Sequence, residues 1–166
     1  MNEEIIEKAR QFVEWGRTRD PFRLARYAGA TVHFEDLGEL KGMYVCIKRN
    51  RFIVVNHKLE DCLQRIVCAH ELGHDTWHRD MAKDKWRHEF MIYNMNQRPE
   101  YEANLFASEI LLPDEEIISL IMDGFDVEQI AWSMESDVNL VALKVATLTQ
   151  RGYRFRQFES RDNFLK

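Results

Sequence analysis

Two histidines four residues apart enclose a glutamate in the run His70-Glu71-Leu72-Gly73-His74. On an α-helix, residues at this spacing project from nearly the same face, one turn apart, so two imidazoles can share one small cation. Glu71 lies about 100° round the helix, where its carboxylate can reach a water beside the cation instead of the cation itself. These are the parts of a metal-assisted hydrolase with a carboxylate general base. Shuffling this composition produces such a run with a chance of roughly 2%, so the surrounding sequence has to decide.

The surroundings favour the chemistry. Leu59, Leu63, Ile66, His70, Gly73 and Trp77 step by three or four along one face, which predicts a helix from Leu59 to His78. The apolar stripe turns inward, and His70 continues its line. Buried imidazoles are costly unless their nitrogens find partners, and a metal supplies one. A tetrahedral catalytic zinc needs a third protein ligand and one open position. Helix rise puts His78 about 12 Å from His70, too far to share an ion on a straight helix. Asp80 lies six residues after His74, but Trp77 stands where a tight turn toward it would use glycine. Glu100 and Glu102 open the next predicted helix, at the end where the helix dipole favours carboxylates.

The elements that must position these groups are legible in outline. A helix is predicted over 3–18, and Asp20-Pro21 caps and starts a second that runs to Tyr27 and stops at Gly29. Thr31–Phe34, Met43–Lys48 and Arg51–Val55 read as strands, the last two antiparallel about a turn at Arg49-Asn50. Residues 79–97 are irregular. A helix over 99–111 is closed by Pro113, and Asp114 caps one over 115–122 that Gly124 ends. Asp126 opens a helix to Met134, and a last helix runs from Asn139 to Gln150. The fold class is therefore α+β: a small antiparallel sheet packed on metal-bearing helices, with a C-terminal helical subdomain. The expected division is a core over 1–122 and a helical appendage with a basic tail over 123–166. Gly73 would let another backbone or a substrate approach its helix closely.

Composition limits the alternatives. The 166 residues carry 45% hydrophobic and 31% charged side chains, which suits a folded domain and excludes disorder. Trp15, Trp77, Trp86 and Trp132 read as core. No apolar run reaches the roughly 20 residues of a membrane helix, and the acidic start resembles no signal peptide, so the expected location is cytoplasmic. Cys46, Cys62 and Cys68 are odd in number and match no zinc-knuckle spacing, and Cys62 and Cys68 read as small, partly or fully buried residues. His33 and His57 read as structural, and His78 as a residue behind the site or at the surface. The net charge is −5, and eleven Asp or Glu with no Lys or Arg lie between Pro99 and Val141. Residues 126–150 have a helix–turn–helix outline, but Lys144 is their sole base, which disfavours DNA binding.

His70-Glu71-Leu72-Gly73-His74, followed by Glu100-Tyr101-Glu102-Ala103-Asn104-Leu105-Phe106-Ala107 and closing on Ile110-Leu111-Leu112-Pro113, resembles the ImmA/IrrE family of metallopeptidases. That family pairs an H-E-x-x-H helix with an E-x-x-A-[NS]-x-F-A-x-x-[LI]-L-x-P helix. Gly42 before the second strand and Asn56 at the end of the third fit more loosely. The resemblance implies a gluzincin-like zinc endopeptidase with His70, His74 and Glu100 as ligands, Glu102 in reserve, and Glu71 as catalytic base. Asn104, four residues from Glu100, would hydrogen-bond a ligand histidine, while Ala103, Phe106 and Ala107 pack another face. Tyr93, Tyr101 and His88 are candidate oxyanion donors. An extended substrate would add along an exposed edge supplied by Arg51–Val55 or residues 31–34. The implied substrate is a helix–turn–helix repressor. The rival readings are a non-enzymatic metal-bound regulator and a DNA-binding regulator.

Overall fold

The computed structural model describes residues 2–79 and 97–155. Two N-terminal helices, α1 (Asn2–Gly16) and α2 (Pro21–Tyr27), precede three strands, β1 (Thr31–Glu35), β2 (Gly42–Ile47) and β3 (Asn50–Asn56). Five helices follow: α3 (Asp61–Trp77), α4 (Arg98–Leu111), α5 (Asp114–Met122), α6 (Val127–Ser133) and α7 (Val138–Gln150). The α+β class is borne out. Local signals set most boundaries. The Asp20 carboxylate accepts from the Phe22 N–H at 3.0 Å, Pro21 fills the first turn, and Gly29 ends the segment at φ +83°. Asp126 and Gln129 form a reciprocal capping box on α6, and Asp137 caps α7.

The sheet is mixed, a correction to the antiparallel expectation. Its order is β1-β3-β2, with β2 antiparallel and β1 parallel to β3. Burial explains why β3 takes the centre. Ile53 and Val55 are fully buried, whereas β1 exposes four of its five residues. Asn56 is buried and holds the β1–β2 connection, donating to the Gly38 and Leu40 carbonyls at 3.0 and 2.8 Å.

The β2–β3 turn lies one residue earlier than predicted. Ile47 pairs with Asn50, leaving Lys48 and Arg49 as the two-residue loop at φ +47° and +71°. This backbone is the one that Asn-Gly adopts without strain. Replacing Lys48-Arg49 by Asn-Gly is expected to stabilise the protein by about 1 kcal/mol, raising Tm by roughly 2–4 °C in thermal melts.

The core runs continuously from α1 and the sheet through α3 and α4 to α7, with Ile5, Leu24, Ile53, Leu72, Phe106 and Leu148 among its buried members. Cys68 is buried within it, and burial pushes its thiol pKa up. Two of the tryptophans read as core are exposed: Trp15 at 65% and Trp132 at 86%. Trp132 sits one step round α6 from the buried pair Ile130 and Ala131, on the outward face. Trp86 lies outside the described residues.

Asp114 is the first residue of α5, not its cap, and Pro113 occupies the cap position. Its carboxylate turns to Lys144 of α7 at 2.6 Å, and to Arg10 of α1 and Arg151, both at 2.8 Å. Glu109 of α4 joins at 2.7 Å from Lys144. Lys144 is thus consumed internally and offers nothing to a phosphate backbone, which weakens the DNA-binding alternative further. Among the described residues, no helix is long and apolar enough to cross a membrane.

Candidate metal centre

Helices α3 and α4 carry the site, and their close crossing brings it together. A Cβ placed on Gly73 would stand 2.9 Å from the Ala103 Cα and 3.1 Å from its carbonyl oxygen. The small residue therefore lets the α4 backbone approach, and Glu100 at the first turn of α4 faces the two histidines. Ala103 lies at this contact, on the same side of α4 as Glu100 and Asn104, and not on a separate face. Phe106, about 120° round the helix from Glu100, turns to α1, where it meets Phe12 edge-on at 5.5 Å. Gly73→Ala is expected to cost about 1–3 kcal/mol, because the obstructing atoms are backbone and cannot rotate away. Thermal melts should show Tm falling by roughly 2–10 °C.

The ligand atoms of His70, His74 and Glu100 lie within 4.8 Å of one another. The two Nε2 atoms are 3.0 Å apart, and the Glu100 carboxylate oxygens are 3.2 Å from His70 Nε2 and 3.6 Å from His74 Nε2. Asn104 Oδ1 stands 2.9 Å from His70 Nδ1. An amide oxygen only accepts, so His70 donates from Nδ1, and its Nε2 is the nitrogen that faces Glu100. Burial alone would raise the Glu100 carboxyl, but the two imidazoles facing it prevail and hold its pKa well below the ordinary carboxylate range. Two imidazole nitrogens and a carboxylate converging in this way form a donor set that fits a divalent cation.

Glu71 is 4% exposed and lies on the side of α3 toward β2. A Cβ on Gly42 would sit 3.7 Å from the Glu71 Cγ and would strike Val67, so glycine at the start of β2 keeps this approach open. Burial raises the Glu71 carboxyl first, the nearby Glu100 charge adds to it, and the Tyr44 backbone N–H opposes both. The result is a pKa pushed up to about 8 in the metal-free protein.

Glu102, the reserve ligand, faces away from the three-residue cluster. It takes His78 Nε2 at 3.0 Å and the Arg98 Nε–H at 2.8 Å. His78 is half-buried and turns its Nδ1 to His74 Nδ1 at 3.0 Å, so it stands behind the site as the sequence suggested. The i,i+4 pairs His74–His78 and Arg98–Glu102 carried the signal for this chain. The sequence reading missed the Arg51–Asp75 ion pair at 2.6 Å, which ties β3 to the buried underside of α3. Arg51 also donates to the Ala28 carbonyl at the end of α2. The Tyr101 hydroxyl accepts from Asn2 of α1 at 3.2 Å. Asp80, His88 and Tyr93 lie outside the described residues.

The edge expected to receive a substrate needs correction. Arg51–Val55 belongs to β3, which is paired on both sides and has no free edge. Residues 31–34 do form an edge, but β2 is the edge strand beside Glu71.

The family model described as IrrE N-terminal-like domain, of the M78 peptidases, matches residues 25–146. The chain belongs to this family. It is 35% identical over 116 residues to "Uncharacterized immunity region protein 2" of Bacillus phage phi105, spanning 69% of this chain and 72% of that one. It is also 27% identical over 135 residues to "Metallopeptidase ImmA" of Bacillus subtilis strain 168, spanning 76% and 75%. The IrrE N-terminal-like region includes all of β1–β3, α3 and α4, and so every residue of the cluster. Membership and the ImmA relative support a metallopeptidase, with peptide-bond hydrolysis as its chemistry and a protein as its substrate.

Proposed function

We propose that the protein is a zinc-dependent endopeptidase acting on a specific protein partner, a repressor of the helix–turn–helix type. The observation that carries this reading is the convergence of His70, His74 and Glu100 beside the buried Glu71. His70, His74 and Glu100 would hold one zinc. When bound, the metal would polarise the scissile carbonyl and make water acidic enough to give up a proton near neutral pH. Glu71 accepts that proton as the water attacks, then delivers it to the leaving amine nitrogen. Asn104 fixes the His70 ring in the tautomer that leaves Nε2 for the metal. The free edge of β2 would align an extended substrate segment by strand addition, with its backbone passing Glu71.

The repressor substrate rests on the family resemblance, and the immunity-region name of the phage relative supports it. The cytoplasmic location follows from that substrate. The test is incubation of the zinc-loaded protein with a purified helix–turn–helix repressor, read by intact-mass spectrometry. A single cut in the repressor, absent with Glu71→Gln protein, is expected. Equal degradation of unrelated unfolded chains would overturn narrow specificity. A non-enzymatic metal-bound regulator would leave the repressor intact and keep its biological effect in Glu71→Gln.

A further inference from the structure

Three polar side chains behind His74 form a chain that peptide hydrolysis does not itself require. His74 Nδ1 meets His78 Nδ1 at 3.0 Å, His78 Nε2 meets Glu102 Oε2 at 3.0 Å, and Glu102 Oε1 takes the Arg98 Nε–H at 2.8 Å. The direction of each bond can be worked out from the outer end. Arg98 only donates and the Glu102 carboxylate only accepts, so His78 must donate from Nε2. A neutral imidazole with its proton on Nε2 offers a lone pair at Nδ1. His74 therefore donates from Nδ1 and turns its own Nε2 lone pair toward His70 and Glu100.

The chain also joins the two helices that carry the site. His74 and His78 sit on and just past the end of α3, while Arg98 and Glu102 sit in the first two turns of α4, on either side of Glu100 in sequence. Each ligand histidine thus has a partner on a different basis: Asn104 reaches across from α4 to His70, and His78 reaches along α3 to His74.

We propose that His78 is a positioning residue, held by Glu102 and Arg98, that sets the tautomer and ring orientation of His74 and so the affinity of the site for zinc. It does not itself touch metal or substrate. The proposal rests on the zinc-site reading above. A partner of this kind is ordinarily worth ten- to a hundredfold in metal affinity.

The test is zinc affinity of the full-length protein, by competition with a chromogenic chelator, for wild type, His78→Ala, His78→Gln and Glu102→Gln. Melting of the metal-free proteins is measured in parallel. His78→Ala is expected to weaken zinc by roughly ten- to a hundredfold. His78→Gln, whose amide oxygen can accept from His74 Nδ1, is expected to recover most of that loss. Glu102→Gln is expected to weaken zinc by a smaller factor, since its amide oxygen can still accept from His78. A purely structural His78 would lower melting temperature and leave zinc affinity in the folded variants untouched. Should His78→Ala not fold, the Gln variants carry the test. Wild-type affinity in His78→Ala, or equal loss in His78→Gln and His78→Ala, would overturn the positioning role while leaving the zinc site standing. A wild type that takes up no zinc would overturn both.

Discussion

Glu71→Gln protein is expected to retain its zinc and lose peptidase activity by about 10²–10⁴ in kcat. The substitution keeps the shape of a residue that is 4% exposed and removes only its capacity to accept a proton. Its metal-free form should be at least as stable as wild type, for a linked reason. Burial and the Glu100 charge raise the Glu71 pKa to about 8, above its unfolded value. A carboxyl raised on folding loses stability as pH climbs from the unfolded pKa toward the folded one, and carries the full penalty above it. Glutamine carries none, so the variant's advantage in thermal melts should grow between pH 5 and pH 8. Repressor-cleavage assays and melts on the same preparation check both halves. Full activity in Glu71→Gln would remove the carboxylate from the mechanism.

Lys144→Met should be the most damaging single change away from the site. Lys144 is 1% exposed, and its ammonium lies 2.7 Å from Glu109 and 2.6 Å from Asp114. Methionine fills nearly the same volume but leaves two acids without their shared cation. Breaking a buried pair costs about 3–5 kcal/mol, and the lower end applies because Arg10 and Arg151 remain on Asp114. Denaturant unfolding should show a loss of about 3 kcal/mol, with Tm lower by roughly 6–12 °C. Acid should narrow the gap. Burial would raise Asp114, but Lys144 and Arg151 prevail and lower it. Stability from such a group is complete above its unfolded pKa and is lost as pH falls through the folded one. The deficit of Lys144→Met should therefore shrink below about pH 4. A constant deficit from pH 7 to pH 3 would show that lost packing, not charge, is responsible.

What could be read from the sequence was what local chemistry dictates. The caps Asp20 and Asp126 act through backbone N–H groups two or three residues on, so they announce themselves. The i,i+4 spacing of His70 and His74 fixes a shared face before any tertiary contact forms. Sequence spacing also put Glu100 and Asn104 on one face, and α4 brings that face to His70.

The misreadings concern partners distant in sequence. Nothing local says that β3 inserts between β1 and β2, because that order depends on which strand has the most apolar side chains to bury. Of the two expected substrate edges, Arg51–Val55 was lost with it, while residues 31–34 do form an edge. The pairing of Lys144 was not legible because its acids lie 35 and 30 residues away in the sequence, and Asp114 looked like a cap for the same reason. The Lys48-Arg49 turn was missed because both residues adopt a backbone that Asn or Gly would ordinarily mark.

The central claim is that His70, His74 and Glu100 together hold one zinc. Elemental analysis of purified wild type, His70→Ala and Glu100→Ala, each offered zinc and then desalted, tests it most directly. The account predicts one zinc per wild-type chain and its loss in both variants, with folding verified by circular dichroism. Zinc retained at full occupancy in Glu100→Ala, or absent from wild type, would contradict it.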